Sequence, residues 1–193
     1  IVGVIEDASK VLTRTFKRAG TPVVLLGTTK AELGGSEYLY RLHGLIRGKA
    51  PELDLDAEKR LQRLLVDAAA EGLLLSAHDC SEGGLAVTLA ECCFDTGGIG
   101  VVADVAPAST RSTKAPESTR EHLIAPESTL FSESASRVVI SASPEDLEAF
   151  LERARAAGVP AELIGRTGGT RIAIGVAGAD GIDVDVSEAE QIW

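Results

Sequence analysis

The segment 76–91 constrains the fold most, because a short polar loop with two adjacent glycines runs directly into an amphipathic helix, SAHDCSEGGLAVTLAE. Ser81 can cap such a helix, and the carboxylate of Glu82 suits its positive N-terminal end. Gly83 and Gly84 carry no Cβ, so a bulky anion can approach the backbone N–H groups of the first turn. The loop is therefore a candidate phosphate site, although paired glycines can also relieve crowding between a helix and a neighbouring strand.

Four further segments carry motifs in a defined order: IEDASK at 5–10, LGGSEYL at 33–39, LFSESASRVV at 130–139 and IGRTGG at 164–169. Together with the loop, they resemble the large-subunit family of formylglycinamidine ribonucleotide synthase, an enzyme of purine biosynthesis. That large subunit is several times longer and has two related halves, each ending in a domain of the aminoimidazole ribonucleotide (AIR) synthetase type. The resemblance covers only the last of these C-terminal domains. We therefore expect this chain to be a single domain, 1–193, taken from a longer protein.

The resemblance implies an ATP-dependent ligase that converts formylglycinamide ribonucleotide to formylglycinamidine ribonucleotide, with Mg²⁺ and ammonia derived from glutamine. It implies three kinds of partner: the remainder of the synthase chain, a glutaminase subunit or fused glutaminase domain, and a small accessory subunit. In that family the catalytic histidine and most ATP contacts lie in N-terminal parts that this sequence lacks. We therefore expect the chain to fold alone without synthase activity, and to supply a wall of a phosphate site through residues 34–37 and 78–84.

Two alternatives to this function remain open at the level of sequence. The family's internal duplication provides one catalytic and one structural nucleotide site, so the domain could be a non-catalytic, nucleotide-stabilised scaffold that docks the glutaminase. The fold is also shared by AIR synthetase, selenophosphate synthetase and related ATP enzymes. Their signature at this point resembles Asp-x-x-Gly-Gly-Gly, whereas this chain has DCSEGG at 79–84.

The charge and hydrophobicity of the chain exclude several other classes. Its 193 residues are 45% hydrophobic, which is enough for one soluble domain with its own core. The formal net charge of −10 argues against a nucleic-acid partner or an anionic membrane partner. No apolar run approaches the roughly 18 residues of a membrane-spanning helix. These features predict a cytoplasmic protein.

Alternating apolar and amphipathic segments predict an α/β (α+β) fold, a mixed β-sheet with helices packed on it, like the C-terminal domain of AIR synthetase. The predicted strands are 1–5, 22–27, 73–77, 99–105, 137–142, 161–165, 171–176 and 182–186, and the predicted helices are 56–71, 82–94 and 144–157.

A segment rich in Ser, Thr and Pro, residues 106–129, repeats one short phrase three times, as APAST, APEST and APEST. Such a composition buries too little apolar surface to offset backbone ordering, so we predict a mobile surface insertion. A lid over the phosphate loop is the functional alternative. If the insertion is solvated, its replacement by a short Gly-Ser linker should change stability by less than about 1 kcal/mol.

The candidate site residues lie in the two glycine-containing segments or at a strand start. They are Gly34, Gly35, Ser36, His78, Asp79, Ser81, Glu82, Gly83, Gly84 and Arg137.

Each of the polar candidates has a structural and a functional interpretation. Asp79 could bind Mg²⁺ or a ribose hydroxyl, or only the loop amides. Ser36 could cap a helix or contact a ligand, and Glu37 could favour the first helical turn or contact a metal or ligand. His78 is expected to be a hydrogen-bonded loop residue, and Arg137 could form a surface salt bridge or pair with phosphate.

The three cysteines show no spacing typical of a redox pair or a zinc site. We expect Cys92 and Cys93 to be small buried residues. Cys80, in the loop, would be a nucleophile only if His78 served as its base.

The glycine loop gives one direct mutational expectation. If the amides of Gly83 and Gly84 face a ligand anion, Gly84→Val should abolish binding before it impairs folding. If the glycines only permit close packing, the order should be reversed.

Overall fold

A computed structural model of the chain describes residues 4–5, 7–107, 125–177 and 179–193. Within these residues it contains seven β-strands and six α-helices, together with a short 3-10 helix at Ala8–Lys10. The elements in chain order are β1 (Pro22–Leu26), α1 (Glu37–His43), α2 (Leu55–Ala70), β2 (Ser76–Asp79), α3 (Gly84–Cys93), β3 (Val101–Val105), α4 (Pro126–Phe131), β4 (Val138–Ser141), α5 (Leu147–Ala156), β5 (Ala161–Thr167), β6 (Arg171–Val176), β7 (Ala179–Asp185) and α6 (Val186–Ile192).

The strands form one sheet in the order β2-β4-β1-β5-β3-β6-β7. Neighbouring strands are antiparallel except β3 and β6, which are parallel. The predicted mixed α/β sheet with helices packed on it is thereby confirmed.

The run PVVLL of β1 is buried along its whole length because both faces of the sheet are covered at this strand. Successive side chains of a strand point to opposite faces. Val23 and Leu25 accordingly belong to a core cluster that includes residues of α3, α4 and α6. Val24 and Leu26 belong to a second cluster with residues of α2 and α5. The short apolar run therefore separates two hydrophobic layers.

Helix α2 shows why the amphipathic segment before the glycine loop folds as predicted. Asp54 caps it by accepting hydrogen bonds from two backbone amides of its first turn, and Leu61, Leu64 and Ala68 are buried on one side. The chain leaves the helix through Gly72, whose φ of 74° lies in the left-handed region. With 16 residues, α2 is the longest helix described, and none of the described helices could cross a membrane.

Two sequence predictions about strands need correction. Val4 and Ile5 are 93% and 67% exposed and lie in no strand, so the strand expected at 1–5 is wrong for these two residues. An apolar run needs a neighbouring strand to pair with, and these residues have none. The strand expected at 73–77 lies instead at Ser76–Asp79, because Leu73 still completes the turn that ends α2 by donating to Ala68 O at 3.0 Å.

The predicted mobile insertion at 106–129 also needs correction at its C-terminal end. Residues 108–124 lie outside the described residues, but Pro126–Phe131 forms helix α4. Thr129 and Leu130 are fully or almost fully buried, and Leu130 belongs to the core cluster with α3. Proline at the first helical position and the apolar residues that follow favour this turn despite the polar composition. Replacing all of 106–129 would therefore remove the first four residues of α4, including the buried Thr129.

Candidate functional site

The candidate loop leaves the sheet where β2 pairs with β4. Asp79 is opposite Val138, and the amide of Cys80 donates to the carbonyl of Arg137 at 2.9 Å. This pairing brings the end of the loop strand beside the start of β4. The two segments that the sequence separates by more than fifty residues therefore share one wall.

A cleft of about 410 Å³ opens along this wall. Its lining is mostly polar and contains four of the predicted site residues, Asp79, Ser81, Glu82 and Arg137. The other lining residues are Pro51, Glu58, Leu61, Cys80, Glu133, Ala135, Ser136 and Val138.

The start of α3 differs from the sequence prediction. Gly83, not Ser81, is the N-cap, and no side chain caps the helix. The Ser81 hydroxyl instead donates to the Asp79 carboxylate. Gly83 and Gly84 both have positive φ, and the Gly84 amide donates to the backbone carbonyl of Ser81 at 3.1 Å, so the loop closes as a backbone turn without a side-chain cap.

Gly84 permits a close contact between α3 and the end of α4. A Cβ on Gly84 would lie within 2.9 Å of three backbone atoms, the carbonyl oxygens of Leu130 and Ser132 and the carbonyl carbon of Phe131. Backbone cannot yield as the end of a flexible side chain can, so a larger residue would push the two segments apart. This geometry supports the packing interpretation of Gly84, for which Gly84→Val should impair folding before binding.

Glu133 is a residue of this site that sequence reasoning missed. Its Oε1 accepts two hydrogen bonds of 2.9 Å, one from the amide of Gly83 and one from the amide of Glu37. The Gly83 amide, which was expected to face a ligand anion, is therefore occupied by a carboxylate of the chain itself. The motif LFSES was informative as a resemblance, but a single Glu carries no local pattern that predicts amide donors so far away along the chain.

Arg137 is 2% exposed, which makes the predicted surface salt bridge wrong. Its guanidinium donates to the carbonyls of Ser134 and Ser132 and to the hydroxyl of Thr29. Among the described residues it pairs directly with no carboxylate. Burial lowers the pKa of Arg137, and the more distant charges of Glu32 and Glu133 oppose that shift. Pairing of this side chain with a phosphate stays a prediction.

His78 and Asp79 are adjacent on β2 but have different surroundings. His78 Nε2 lies 2.6 Å from Glu91 Oε2 on α3, which confirms a hydrogen-bonded histidine, placed on a strand and not in a loop. Asp79 is exposed, and its hydrogen bond from the Ser81 hydroxyl lowers the pKa of its carboxyl. An ionised, accessible carboxylate can contribute one oxygen to Mg²⁺.

A metal site at Asp79 stays a prediction. In the part of the chain that the structure describes, no group of three or more His, Cys, Asp or Glu side chains could hold a metal ion. Mg²⁺ is commonly bound through one or two carboxylates with water and substrate phosphates completing its shell. Asp79 fits that role only together with oxygens supplied from outside this domain.

The segment 34–37 lies beside the cleft but does not line it. Ser36 caps α1 by accepting from the Leu39 amide, which confirms its predicted capping role. Gly34 lies in a separate depression of about 780 Å³ with Arg47 and Lys49. Gly35 has a φ of 74°, and a Cβ built on it would meet no atom within 4 Å. Of the candidate residues, four therefore line the cleft and Gly34 lines the second depression, whereas Gly35, Ser36, His78, Gly83 and Gly84 line neither of the two.

Ser136 gives the cleft an unusual floor. It is a non-glycine residue with φ of 60°, and its hydroxyl is a buried atom without a hydrogen-bond partner among the described residues. Left-handed conformations at such residues are uncommon and cluster at functional sites. This observation favours the cleft as the functional surface of the domain.

All three cysteine thiols are buried, which confirms the prediction that Cys92 and Cys93 are small buried residues. Burial raises the pKa of Cys80 and of Cys92, and it raises the pKa of Cys93 to about 12. A thiol held protonated in this way is a poor nucleophile. The environment of Cys80 therefore opposes a nucleophilic role.

We expect no thiol of the native 193-residue chain to react with Ellman's reagent at pH 8, because the reagent needs an accessible thiolate. The same chain unfolded in guanidinium chloride should show all three of its cysteines. Rapid reaction of one thiol in the native chain would show that the loop at Cys80 opens readily.

Comparisons with known proteins agree with this architecture. A family model described as "AIR synthase related protein, C-terminal domain" matches residues 18–177. The phosphoribosylformylglycinamidine synthase subunit PurL of Alkaliphilus metalliredigens is 42% identical over 193 residues, which are 100% of this chain and 24% of that protein. The chain spans about a quarter of the length of the curated relatives it matches.

Solved structures show the same fold. T. maritima PurL complexed with FGAR has a TM-score of 0.74 at 20% identity, and the match covers 95% of this chain and 30% of that chain. T. maritima PurL complexed with ATP has a TM-score of 0.69 at 19% identity, covering 95% and 28% respectively. At these identities the likeness concerns the fold alone.

Proposed function

Because the chain belongs to the family of AIR synthase related proteins as a C-terminal domain, we propose that it is the C-terminal domain of a phosphoribosylformylglycinamidine synthase subunit. The observation that carries this proposal is the 42% identity with such a subunit along the whole of the chain. The same extent of identity favours this synthase over the other ATP enzymes that share the fold.

The proposed reaction of the complete protein converts formylglycinamide ribonucleotide, ATP and glutamine-derived ammonia to formylglycinamidine ribonucleotide, ADP and phosphate. Mg²⁺ would be required with ATP, and the partners would be the remaining synthase chain, a glutaminase and a small accessory subunit, in the cytoplasm. T. maritima PurL has been solved in complex with ATP and with FGAR, which supports ATP and this ribonucleotide as ligands of the complete protein.

The role of this domain would be to form one wall of a ligand site. Asp79 offers an ionised carboxylate in the lining of the cleft, and Ser81 offers a hydroxyl oxygen beside it. These groups can accept hydrogen bonds from ribose hydroxyls or contribute to a metal shell. The catalytic step itself would depend on residues of the preceding domains.

A nucleotide-stabilised scaffold is the second candidate function, and one observation favours it. The Gly83 amide and the Arg137 guanidinium, which could grip a phosphate, are already bonded within the domain. Because these donors are already used within the domain, they are not available to bind a reacting phosphate, which favours a supporting role. The two functions predict different consequences when Asp79 is changed.

The test is a chimera in which this chain replaces the matching quarter of the A. metalliredigens subunit. With ATP, Mg²⁺, ribonucleotide and ammonium chloride, we expect the kcat of the chimera to lie within about tenfold of that of the parent subunit. This factor corresponds to a difference of roughly 1.4 kcal/mol in the activation free energy. The isolated 193-residue chain should show none. Turnover by the isolated chain, or a folded chimera without activity, would contradict the proposal.

Asp79→Ala in the active chimera then separates the two functions. If the cleft borders the catalytic site, the variant should lower kcat/KM for the ribonucleotide or for ATP. If the cleft belongs to a structural nucleotide site, kcat/KM should stay constant while the nucleotide-dependent rise in Tm becomes smaller.

A further inference from the structure

Glu133 occupies the space between the two glycine-containing segments of the domain. One oxygen of its carboxylate accepts from the Gly83 amide at the start of α3 and from the Glu37 amide at the start of α1. These two donors lie 50 and 96 residues from Glu133 along the chain. A single side chain therefore connects two segments that share no strand pairing.

The chemistry of the contact suits a carboxylate. The first amides of a helix have no partner within the helix and carry partial positive charge. A carboxylate oxygen that accepts from both N–H groups makes two charge-assisted hydrogen bonds, which are stronger than neutral ones. Glu133 is also half-buried, so water screens these bonds less than it would on an open surface.

The backbone that carries Glu133 is itself held in place. On one side of it, the Ser132 hydroxyl accepts from the Glu32 amide at 3.0 Å, and on the other the Ser134 hydroxyl accepts from the Lys30 amide at 3.1 Å. The buried guanidinium of Arg137 binds the carbonyls of both serines. The carboxylate thus projects from a fixed support and is not an adaptable surface group.

We propose that Glu133 is a positioning residue that holds the 33–37 segment against the loop at 80–84 and so sets the shape of the cleft beside Asp79. The part of this proposal that concerns substrate rests on the proposed function. Without the carboxylate, the two helix starts lose their common acceptor. Misplacement of site groups by as little as about 1 Å can cost two orders of magnitude in rate.

The first experiment measures the connection itself, in the full-length protein that contains this domain. Amide hydrogen exchange is followed in peptides that cover residues 30–40 and 80–90. Glu133→Ala should speed exchange in both peptides by about tenfold or more, whereas Glu133→Gln, which keeps an acceptor oxygen but loses the charge, should speed it less.

Asp54→Ala provides a matched control. Asp54 also uses one carboxylate oxygen to accept from two backbone amides, those of Asp56 and Ala57 at 3.0 Å each, but both belong to the first turn of α2. This variant should speed exchange only at the start of α2. Unchanged exchange in either peptide of Glu133→Ala would overturn the proposal.

The second experiment measures steady-state kinetics of the same variants with ribonucleotide, ATP and ammonium chloride. Glu133→Ala should raise the ribonucleotide KM or lower kcat by about tenfold or more, Glu133→Gln should largely restore both, and Asp54→Ala should leave both unchanged. Faster exchange in both peptides with unaltered kinetics would overturn the positioning role. An inactive wild-type protein would contradict the proposed function, and the exchange data would then decide the role of Glu133 alone.

Discussion

Gly84→Ala should lower the free energy of unfolding by about 2–5 kcal/mol, the sum of roughly 1–2 for a left-handed Cβ and roughly 1–3 for overpacking. The new methyl group would meet the backbone of the segment that ends α4, which cannot move without disturbing Leu130 in the core. The measurement is the urea midpoint of the 193-residue chain, with the slope of the transition as a check on two-state behaviour.

Gly72→Ala is the matched control for this substitution. Gly72 has a φ of 74°, close to the 66° of Gly84, but a Cβ there would meet no atom within 4 Å. It should therefore show the conformational cost of roughly 1–2 kcal/mol without the steric one. Equal losses of unfolding free energy in the two variants would show that α4 moves aside without a steric cost. Gly84→Val should be worse still, with ligand affinity preserved in the fraction that remains folded.

The elements predicted well from sequence are those whose signal is local. The apolar run of β1, the spacing of Leu61, Leu64 and Ala68 in α2, and Ser36 before α1 each determine structure through neighbouring residues. The mixed sheet follows because such strands and helices alternate along the chain. None of these inferences needs knowledge of distant contacts.

The features missed from sequence depend on distant contacts. Arg137 reads as a surface residue because arginine is seldom buried, and only the folded chain shows carbonyls arranged around it. The sequence around Glu133 gives no local sign that its carboxylate accepts hydrogen bonds from the backbone amides at the starts of two helices. The repeat ending at Thr129 has the composition of a loop, yet its last residues form a helix because Leu130 reaches the core.

The glycine loop illustrates how a correct motif can suggest the wrong local chemistry. Paired glycines before a helix are equally suited to an approaching phosphate and to an approaching backbone. In this domain the backbone at the end of α4 packs against Gly84, and the carboxylate of Glu133 accepts the hydrogen bond of the Gly83 amide. The motif indicated the family and the position of the cleft, while the partner of each glycine required the fold.

The second large effect is expected at Arg137. Arg137→Lys should destabilise the 193-residue chain by about 2–5 kcal/mol, because each buried acceptor left without a donor costs roughly 1–3 kcal/mol. The guanidinium reaches the carbonyls of Ser132 and Ser134 and the hydroxyl of Thr29 in three directions. A lysine ammonium is a compact group that cannot reproduce this planar fork.

Arg41→Lys is the control, since Arg41 is exposed and forms an ion pair with Glu37 four residues earlier on α1. Exposed pairs of this kind contribute little, so a change below about 0.5 kcal/mol is expected. Urea midpoints at pH 7 compare the two variants. If Arg137→Lys unfolds at the same midpoint as Arg41→Lys, the carbonyl contacts contribute nothing to stability. The guanidinium would then be free to turn toward a phosphate in the cleft, so this one comparison decides whether Arg137 supports the fold or is available to a ligand.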